Sequence, residues 1–502
     1  MVRRIFFLTM MIMGSVTMTF CGNPNDNPDK PVREPGVAGT FYPADASDLK
    51  NMVSSLLRQA EPAEIKGTII GLISPHAGYV YSGQVAAYSY KLLGGKPIRR
   101  VVIISPSHIA AFKGAAVYNG DIYRTPLGDL LVDKDFCTNL AAKNDLIQLS
   151  SKGHETIRQG RMEHALEVQL PFLQTVLKDF KIVPVIMGDQ DYDTGRALGI
   201  ALSELITDDK TVIIASSDLS HFHPYEEAVT MDKKVINGVM EWDHINLSRN
   251  LNQRVWEACG GGPIVATMIA AERLGGNKAE LLKYANSGDV PVGEKTSVVG
   301  YMAAVLYKDP AVQPGAGFSF ELNNDAQNHL LKIARGAVET AVNENKIFAC
   351  SAENYPALQS DRGAFVTLNI SGQLRGCIGY ISASQPLWET VRSAAISAAL
   401  KDPRFPAVSK AELTELSYEI SVLSPFHRIA GIQQIEVGKH GLMMRKGQYQ
   451  GLLLPQVATD NHWDALTFLE QTCRKAGLPA NAWKDAETDI FVFSAIVFPE
   501  GH

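Results

Sequence analysis

Cysteine is scarce and irregularly spaced in this chain of 502 residues. The six cysteines are Cys21, Cys137, Cys259, Cys350, Cys377 and Cys473. They lack the spacing of a disulfide framework, which excludes a small disulfide-stapled scaffold. If Cys21 is lipidated, an odd number remains and at least one thiol stays free for chemistry. Most of the others are expected to be small buried residues.

The sequence also lacks a strongly basic character and nucleotide-binding motifs. Lys and Arg number 47 against 53 Asp and Glu, the formal net charge is -6, and no extended Lys/Arg block occurs. This balance argues against a nucleic-acid partner. No Walker loop is present and no GxGxxG opens a helix, so a nucleotide-binding fold is not supported. The expected partners are therefore small molecules or proteins.

The amino terminus differs in texture from the rest of the chain. Arg3 and Arg4 precede an apolar run over residues 5–20, which is short for a membrane span. Cys21 follows, and then a polar, Pro-rich stretch. Residues 1–33 therefore predict an export signal, a lipidation site and a tether, and hence an exported, membrane-anchored lipoprotein. The residues just before Cys21 fit a lipidation motif poorly, so an uncleaved leader or a wrongly chosen start codon, with a cytoplasmic protein, is the alternative.

Three apolar runs end in small polar residues followed by a histidine. They read TIIGLISPH, VVIISPSH and TVIIASSDLSH, and end at His76, His108 and His221. Each run is typical of a buried parallel strand. In open α/β sheets, ligands bind beyond the carboxyl ends of the strands. The repetition therefore predicts a site at one edge of the sheet, with Asp218 lying in the same turn as His221.

A cysteine before a Gly-rich turn adds a different ligand type. Cys259 stands in ACGGGP, ahead of an apolar helix, and a helix N-terminus favours thiolate over thiol. Two or three imidazoles with one thiolate suit Fe(II), Cu or Zn and disfavour Mg or Ca. Glu163-His164 and Glu167 are either partners that orient the ligands or a solvated helix start.

The chain divides into two regions of different texture. Residues 34–308 alternate apolar strands and amphipathic helices, including a helix expected over residues 161–177, which predicts an α/β fold with a mainly parallel sheet. A Pro/Gly-rich linker follows at residues 309–317. Residues 318–502 segregate strands from helices, which is typical of a smaller α+β domain.

The motifs of the first region resemble those of the Memo family. They are SPHAGYVYSG (74–83), PSH (106–108), EHALEVQLPFL (163–173), SSDLSH (216–221) and CGGGP (259–263), in family order. The resemblance implies a fold similar to extradiol non-haem iron dioxygenases. It also implies that His76, His108 and Cys259 are metal ligands, with Asp218 and His221 beside the metal. The dioxygenases use a carboxylate where this sequence has Cys259, so ring cleavage does not transfer with the fold.

The second region resembles the AMMECR domain. The matching motifs are LRGCIG (374–379), DPRFP (402–406), GLMMRKG (441–447) and LLPQVA (453–458). Arg375 and Cys377 project to one face of a strand, which is open to two interpretations: an anion or thiol site, or a Gly-marked bulge. The two domains together resemble proteins B and A of the AmmeMemoRadiSam system, whose third component is a radical S-adenosylmethionine enzyme. The resemblance therefore implies a radical SAM partner.

Two classes of function remain open from the sequence. The first is a non-haem metalloenzyme that uses Fe(II) or Cu for oxidative chemistry on a small molecule, with Asp218 and His221 as candidate catalytic residues. The second is an iron- or copper-binding or docking protein without turnover. A zinc hydrolase is a weaker third possibility. The acid/base pair favours the enzyme, and the mixed Cys/His ligand set favours the binding protein.

Overall fold

The computed structural model describes residues 31–312, 322–381, 384–429, 431–485 and 487–500. The expected export signal, Cys21 and most of the tether lie outside the described residues, as do residues 313–317 of the expected linker. Among the described residues, no helix has both the length and the apolar character that crossing a bilayer requires. The five described cysteines are all free thiols, and Cys137 and Cys473 are buried.

The first region alternates strands and helices. Its strands are β1 (Val32–Arg33), β2 (Thr68–Ser74), β3 (Arg100–Pro106), β4 (Ala115–Val117), β5 (Ile122–Thr125), β6 (Gly128–Leu131), β7 (Ile147–Leu149), β8 (Lys181–Met187), β9 (Thr211–Ser216), β10 (Asp218–His223), β11 (Lys278–Asn286) and β12 (Val298–Lys308). Its helices are α1 (Ala46–Gln59), α2 (Tyr79–Lys91), α3 (Lys134–Ala141), α4 (Leu170–Val176), α5 (Tyr192–Leu205), α6 (Tyr225–Met240), α7 (His244–Asn252) and α8 (Gly261–Arg273).

The main sheet of this region is mixed. Its order in the described part of the chain is β10-β12-β2-β9-β3-β8-β4-β7, with β11 also paired to β12. The strands β2, β9, β3 and β8 are parallel neighbours and form its centre. The strands β12 and β4 flank this centre in antiparallel orientation. The expected parallel character thus holds for the centre of the sheet, and the Memo-like region is a mixed α/β domain.

Burial on both faces explains why the central strands are continuous apolar runs. In β3, the side chains from Val101 to Ile104 are fully buried, and the same holds for Ile213 and Ile214 in β9. Strands covered on both faces by helices lose the alternation of apolar and polar residues. Two of the covering helices begin at N-cap residues: the Asp45 carboxylate caps α1 and the Asp191 carboxylate caps α5.

One predicted helix begins later than expected. The helix expected over residues 161–177 is a short 3₁₀ turn, Glu167–Gln169, followed by α4. Residues 163–166 instead form an irregular segment that ends in a turn at Ala165 and Leu166. The prediction was wrong at this end because contacts distant in sequence hold the turn, as described below.

The second region contains two four-stranded sheets. Its strands are β13 (Ala364–Ile370), β14 (Gln373–Tyr380), β15 (Leu416–Leu423), β16 (His427–Arg428), β17 (Gly441–Lys446), β18 (Tyr449–Leu453), β19 (Asp489–Phe493) and β20 (Ala495–Pro499). Its helices are α9 (Asn324–Glu344), α10 (Leu387–Leu400), α11 (Pro455–Asp460) and α12 (Ala465–Lys475). The sheet orders are β14-β13-β15-β20 and β16-β19-β17-β18 in the part of the chain that is described.

The two regions share an apolar and ionic interface. Phe426, Met443 and Phe491 of the second region belong to one buried cluster with Trp242 and Met268 of the first. Burying aromatic and aliphatic area of this kind stabilises the contact at about 25 cal/mol per Å². The interface therefore fixes how the second region sits on the helices α5 to α8.

Candidate metal centre

The parallel centre of the sheet carries two of the predicted ligands. His76 lies just beyond the end of β2 and His108 just beyond the end of β3, on either side of β9 in the sheet. Cys259 precedes α8. The His76 Nε2 and Cys259 Sγ atoms lie 3.0 Å apart. The sequence predicts that His76, His108 and Cys259 all converge, and His76 and Cys259 do so. Among the described residues, however, His108 and Cys259 belong to two different groups of possible ligands, which share His76.

Hydrogen bonding leaves one nitrogen of His76 available as a ligand. Its Nδ1 bonds to the Ser216 hydroxyl at 2.9 Å, so Nε2 points toward Cys259. Burial lowers the pKa of His76 well below its usual value, and the nearby His108 and His164 lower it further. The imidazole is therefore neutral near pH 7, which is the form that binds a metal.

Glu163 orients His108. The Glu163 Oε1 atom lies 3.0 Å from His108 Nδ1, and its second oxygen accepts the His108 backbone N–H. Burial opposes ionisation of Glu163, but its hydrogen bonds from His108 and from the Ala165 amide prevail and lower its pKa to about 2. A carboxylate on Nδ1 leaves Nε2 of His108 as the ligand nitrogen and raises its basicity. Of the two interpretations of Glu163, orienting a ligand fits this geometry.

His164 is a third imidazole that the sequence reasoning did not include among the ligands. One nitrogen each of His76, His108 and His164 lie within 4.8 Å of one another, so these residues could together hold a metal ion. The His164 ring stacks on the His108 ring, with the centroids 4.8 Å apart. A signal was present in the sequence, since His164 follows Glu163 directly, but placing it required the turn that replaces the expected helix.

A second group of possible ligands combines His76, Asp218 and Cys259, again with donor atoms within 4.8 Å. The Asp218 Oδ1 atom accepts the His76 backbone N–H at 2.7 Å, and the Asp218 N–H points to Cys259 Sγ at 3.2 Å. Burial raises the pKa of Asp218 to about 7. Asp218 therefore lies beside the candidate ligands, as the resemblance implied.

The Cys259 thiol corrects one expectation. Burial, and then the Asp218 carboxyl group, raise the pKa of this thiol well above its usual value, although the N-terminus of α8 is close. In the metal-free protein the expected lowering of this pKa is therefore wrong, because burial and the neighbouring carboxyl group both disfavour the thiolate. A bound cation would reverse the balance, since metal ligation deprotonates a thiol outright.

Glycines allow the Cys259 loop to reach the sheet. A Cβ atom at Gly260 would lie 2.2 Å from the Ser216 carbonyl oxygen at the end of β9. The Gln190 side chain fixes the same loop, because it donates to the Cys259 carbonyl at 2.8 Å and accepts the Gly262 amide at 2.9 Å. The glycines of the CGGGP motif thus let the backbone pack against the end of β9, which places the Cys259 thiol beside His76.

His221 lies near the centre but outside both ligand groups. It lies in β10, the short strand that follows β9 in the chain. Its Nδ1 is hydrogen-bonded to the Leu219 carbonyl at 2.8 Å. This bond leaves Nε2 unprotonated in the neutral ring. Burial lowers the pKa of His221, and the charge of His108 lowers it further. His221 therefore presents a neutral nitrogen beside the ligands.

Among the residues that the structure describes, the LRGCIG motif of the second domain is part of no comparable group of possible metal ligands. The Arg375 guanidinium pairs with Glu412 at 2.7 Å, and the Cys377 amide donates to Asp402 at 2.8 Å. A Cβ atom at Gly376 would lie 2.3 Å from the Ala398 carbonyl oxygen of α10. This glycine therefore allows the helix to pack closely on β14. The pairing of β13 with β14 also shifts register next to it, between Leu368 and Asn369 of β13.

The fold and the centre define a two-domain chain whose mixed α/β domain presents a candidate His/Cys metal site at the edge of its sheet. The chain belongs to the Memo-like protein family, whose model matches residues 33–305. A second family model, AMMECR1, matches residues 331–498. Both domains expected from the sequence motifs are thus confirmed in one chain.

Two relatives named as MEMO1 family proteins match this chain over nearly their whole length. A MEMO1 family protein of Methanopyrus kandleri is 38% identical over 286 residues, which is 55% of this chain and 98% of the relative. One from Methanosarcina mazei is 39% identical over 279 residues, 55% of this chain and 99% of the relative. A crystal structure of an uncharacterized protein from Pyrococcus horikoshii is 39% identical and covers 36% of this chain and 95% of that chain, with a TM-score of 0.35.

Proposed function

We propose that this protein holds a redox-active metal, Fe(II) or Cu, through His76, His108 and Cys259, and that it is a non-haem metalloenzyme of oxidative chemistry. The observation that carries the proposal is the 3.0 Å approach of Cys259 Sγ to His76 Nε2, with an Asp218 oxygen within 4.8 Å of both donor atoms. In the metal-free protein this contact is a hydrogen bond between the thiol and the imidazole nitrogen, and a bound ion would take the place of the thiol proton. Nitrogen and sulfur donors are the set preferred by these metals.

The donor set passes a chemical test of fit. Hydroxyl and carboxylate partners occupy Nδ1 of His76 and of His108, so both rings offer Nε2. The His108 side chain is 32% exposed, which leaves a path for a substrate from solvent. A buried ligand pair with one open side is the arrangement expected of a reactive centre rather than a closed structural one.

Side chains of the protein would donate and accept the protons of the reaction. Bound Fe(II) or Cu would supply the electron transfer and a position at which a substrate can coordinate. Asp218 holds the His76 amide and the Cys259 thiol in place, and its second oxygen can accept or return a proton beside the substrate. His221 presents Nε2 because Leu219 fixes its Nδ1–H. These two residues are the proposed acid/base pair.

A binding protein without turnover is the second candidate function. It is favoured by His164, because a third imidazole beside His76 and His108 would fill a coordination position that a reactive centre leaves open. A zinc hydrolase is a weaker candidate that the same donors permit.

The remaining expectations from the resemblance belong to this proposal. The parallel centre of the sheet, with ligands at its strand ends, supports a fold similar to extradiol dioxygenases. The presence of both AmmeMemoRadiSam domain types in one chain supports a radical SAM partner. The substrate is a small molecule that reaches the half-exposed His108.

Anaerobic purification followed by elemental analysis tests the proposal. We expect close to one equivalent of Fe or Cu in the wild type and strong depletion in His76→Ala, with Cys137→Ser as a control of unchanged content. Stoichiometric Zn in place of Fe and Cu would favour the hydrolase. Metal retained in full by His76→Ala would contradict the proposed ligand set.

A further inference from the structure

A second cleft lies between the two domains, lined by none of the candidate metal ligands. Its volume is about 480 Å³, within the roughly 300–1,000 Å³ of ligand sites. Arg249 and Gln253 of the first domain form one wall. Gly379, Tyr380 and Gln450 of the second domain are part of the other. The cleft therefore exists only when both domains are in place.

Arg249 gives the cleft its charge. It is the one ionisable side chain among the described lining residues apart from the tyrosine, and it is half-buried in α7. Within the described ranges, its guanidinium has neither a carboxylate partner nor a side-chain hydrogen bond, whereas Arg375 and Arg428 are paired with acidic groups. A half-buried guanidinium with free donors favours a carboxylate or phosphate.

The second wall offers an open strand edge. In the described chain, β14 is the outer strand of its sheet. The Cys377 amide bonds outward to Asp402, and the Cys377 carbonyl accepts from Arg404, so at this residue both backbone groups point away from β13. Backbone direction repeats every two residues in a strand. The Gly379 N–H and C=O therefore also point outward, into the cleft that Gly379 lines.

We propose that this cleft binds the carboxyl terminus of an extended peptide. One peptide unit would pair with the N–H and C=O of Gly379 and extend the sheet beyond β14. The terminal carboxylate would then lie on the Arg249 guanidinium. Asp402 and Arg404 cap the strand at Cys377, which limits the pairing to its Gly379 end. A plain anion would satisfy Arg249 but leave the strand edge unused, so a peptide uses both features.

Binding of short peptides to the full-length protein tests the proposal. The probe is a mixture of N-acetylated tetrapeptides with free carboxyl termini, compared with the same mixture as carboxamides and with backbone N-methylated forms. We expect the carboxamides and the N-methylated peptides to bind at least tenfold more weakly. Arg249→Gln should weaken carboxylate binding at least tenfold, and Gln253→Trp should abolish it by filling the cleft.

Arg254→Gln is the matched control, because it removes the same charge from the neighbouring exposed segment but does not line the cleft. It should bind as the wild type does. Equal affinity for carboxylates and carboxamides, or equal effects of the two Arg variants, would overturn the proposal. So would competition by acetate or inorganic phosphate at the peptides' own affinity, or no peptide binding. Metal content, measured in each variant, reports on the first-domain centre independently.

Discussion

At the scale of single residues, the protonation state of the Cys259 thiol determines how the metal affinity of the candidate centre depends on pH. It is buried beside Asp218, which keeps it protonated in the absence of a cation. Metal binding must therefore displace a proton, and affinity should weaken as the pH falls. We expect Cys259→Ser to lose more than tenfold in affinity for Fe(II) or Cu(I), about 1.4 kcal/mol or more, while the fold survives this nearly isosteric change.

Calorimetric titration at two pH values measures both effects. Cys473→Ser is a suitable control, because Cys473 is a free cysteine that is fully buried in the second domain, away from the candidate centre. Unchanged affinity in Cys259→Ser would mean that the histidines hold the metal without the thiol.

Glu163 carries the second prediction at this scale. Glu163→Gln keeps the size of the side chain but removes the charge that raises the basicity of His108. Metal affinity should fall about 10–100-fold, the range typical of changes to groups that orient a ligand. Competition with a chelator measures it. Glu155→Gln, which alters an acceptor of the Tyr118 hydroxyl, should leave affinity unchanged; if it weakens binding as much, the effect of Glu163 is not specific.

At the scale of elements, the turn at residues 163–166 depends on a buried ion pair. Arg33 donates to Glu167 and to the Glu163 carbonyl, and Glu167 also accepts the backbone amides of Gly36 and Val37. Both charged side chains are almost fully buried. This network fixes the segment that presents Glu163 and His164 to the centre.

Arg33→Ala should therefore destabilise the protein by about 3–5 kcal/mol, because it leaves the Glu167 carboxylate buried without its partner. Urea unfolding of the two proteins gives the difference. Arg99→Ala is the comparison, since Arg99 pairs with Asp179 on the surface and should cost no more than about 1 kcal/mol. If Arg33→Ala lowers the free energy of unfolding by no more than Arg99→Ala does, the turn does not depend on the ion pair.

The same turn shows where sequence reasoning reaches its limit. The positions of His76, His108 and Cys259 follow from local patterns, since buried strands and a Gly-rich turn are visible in short windows. His164 could not be placed this way, because its conformation depends on Arg33, 130 residues from Glu163. The antiparallel pairing of β12 with β2 could not be placed either, because it joins segments more than 200 residues apart.

At the scale of the whole molecule, Asp489 joins the two domains. Its carboxylate pairs with Arg196 at 2.5 Å, with Arg273 at 3.1 Å and with Arg428 at 3.2 Å. Burial alone would raise the pKa of Asp489, but the three guanidinium groups prevail and lower it. A lowered folded-state pKa means that the contribution is fully present above the unfolded value of about 3.9 and is lost as the pH falls through the folded value.

Asp489→Asn should cost about 3 kcal/mol near pH 7, because it leaves three partly buried guanidinium groups without their shared, buried partner. The difference from the wild type should shrink as the pH falls below about 4. Urea unfolding between pH 7 and 3 measures both, with Asp179→Asn as an exposed control. A difference that stayed constant with pH would show that the charge of Asp489 is not what links the domains.

The expectation that the protein is exported concerns the whole chain and rests on Arg3, Arg4, the apolar run and Cys21. Mass spectrometry of native material should find the first twenty residues missing and a lipid on Cys21. An intact Met1 in a soluble cytoplasmic fraction would contradict the expectation, whereas the metal centre does not depend on it.

X-ray absorption spectroscopy of the anaerobically purified protein tests the central claim most directly, because it reports which atoms bind the metal. We predict an Fe or Cu edge whose first coordination shell contains imidazole nitrogen and one sulfur, with the sulfur contribution absent from Cys259→Ser loaded with the same metal. A first shell of nitrogen and oxygen alone in the wild type would contradict the claim that His76, His108 and Cys259 form the metal centre.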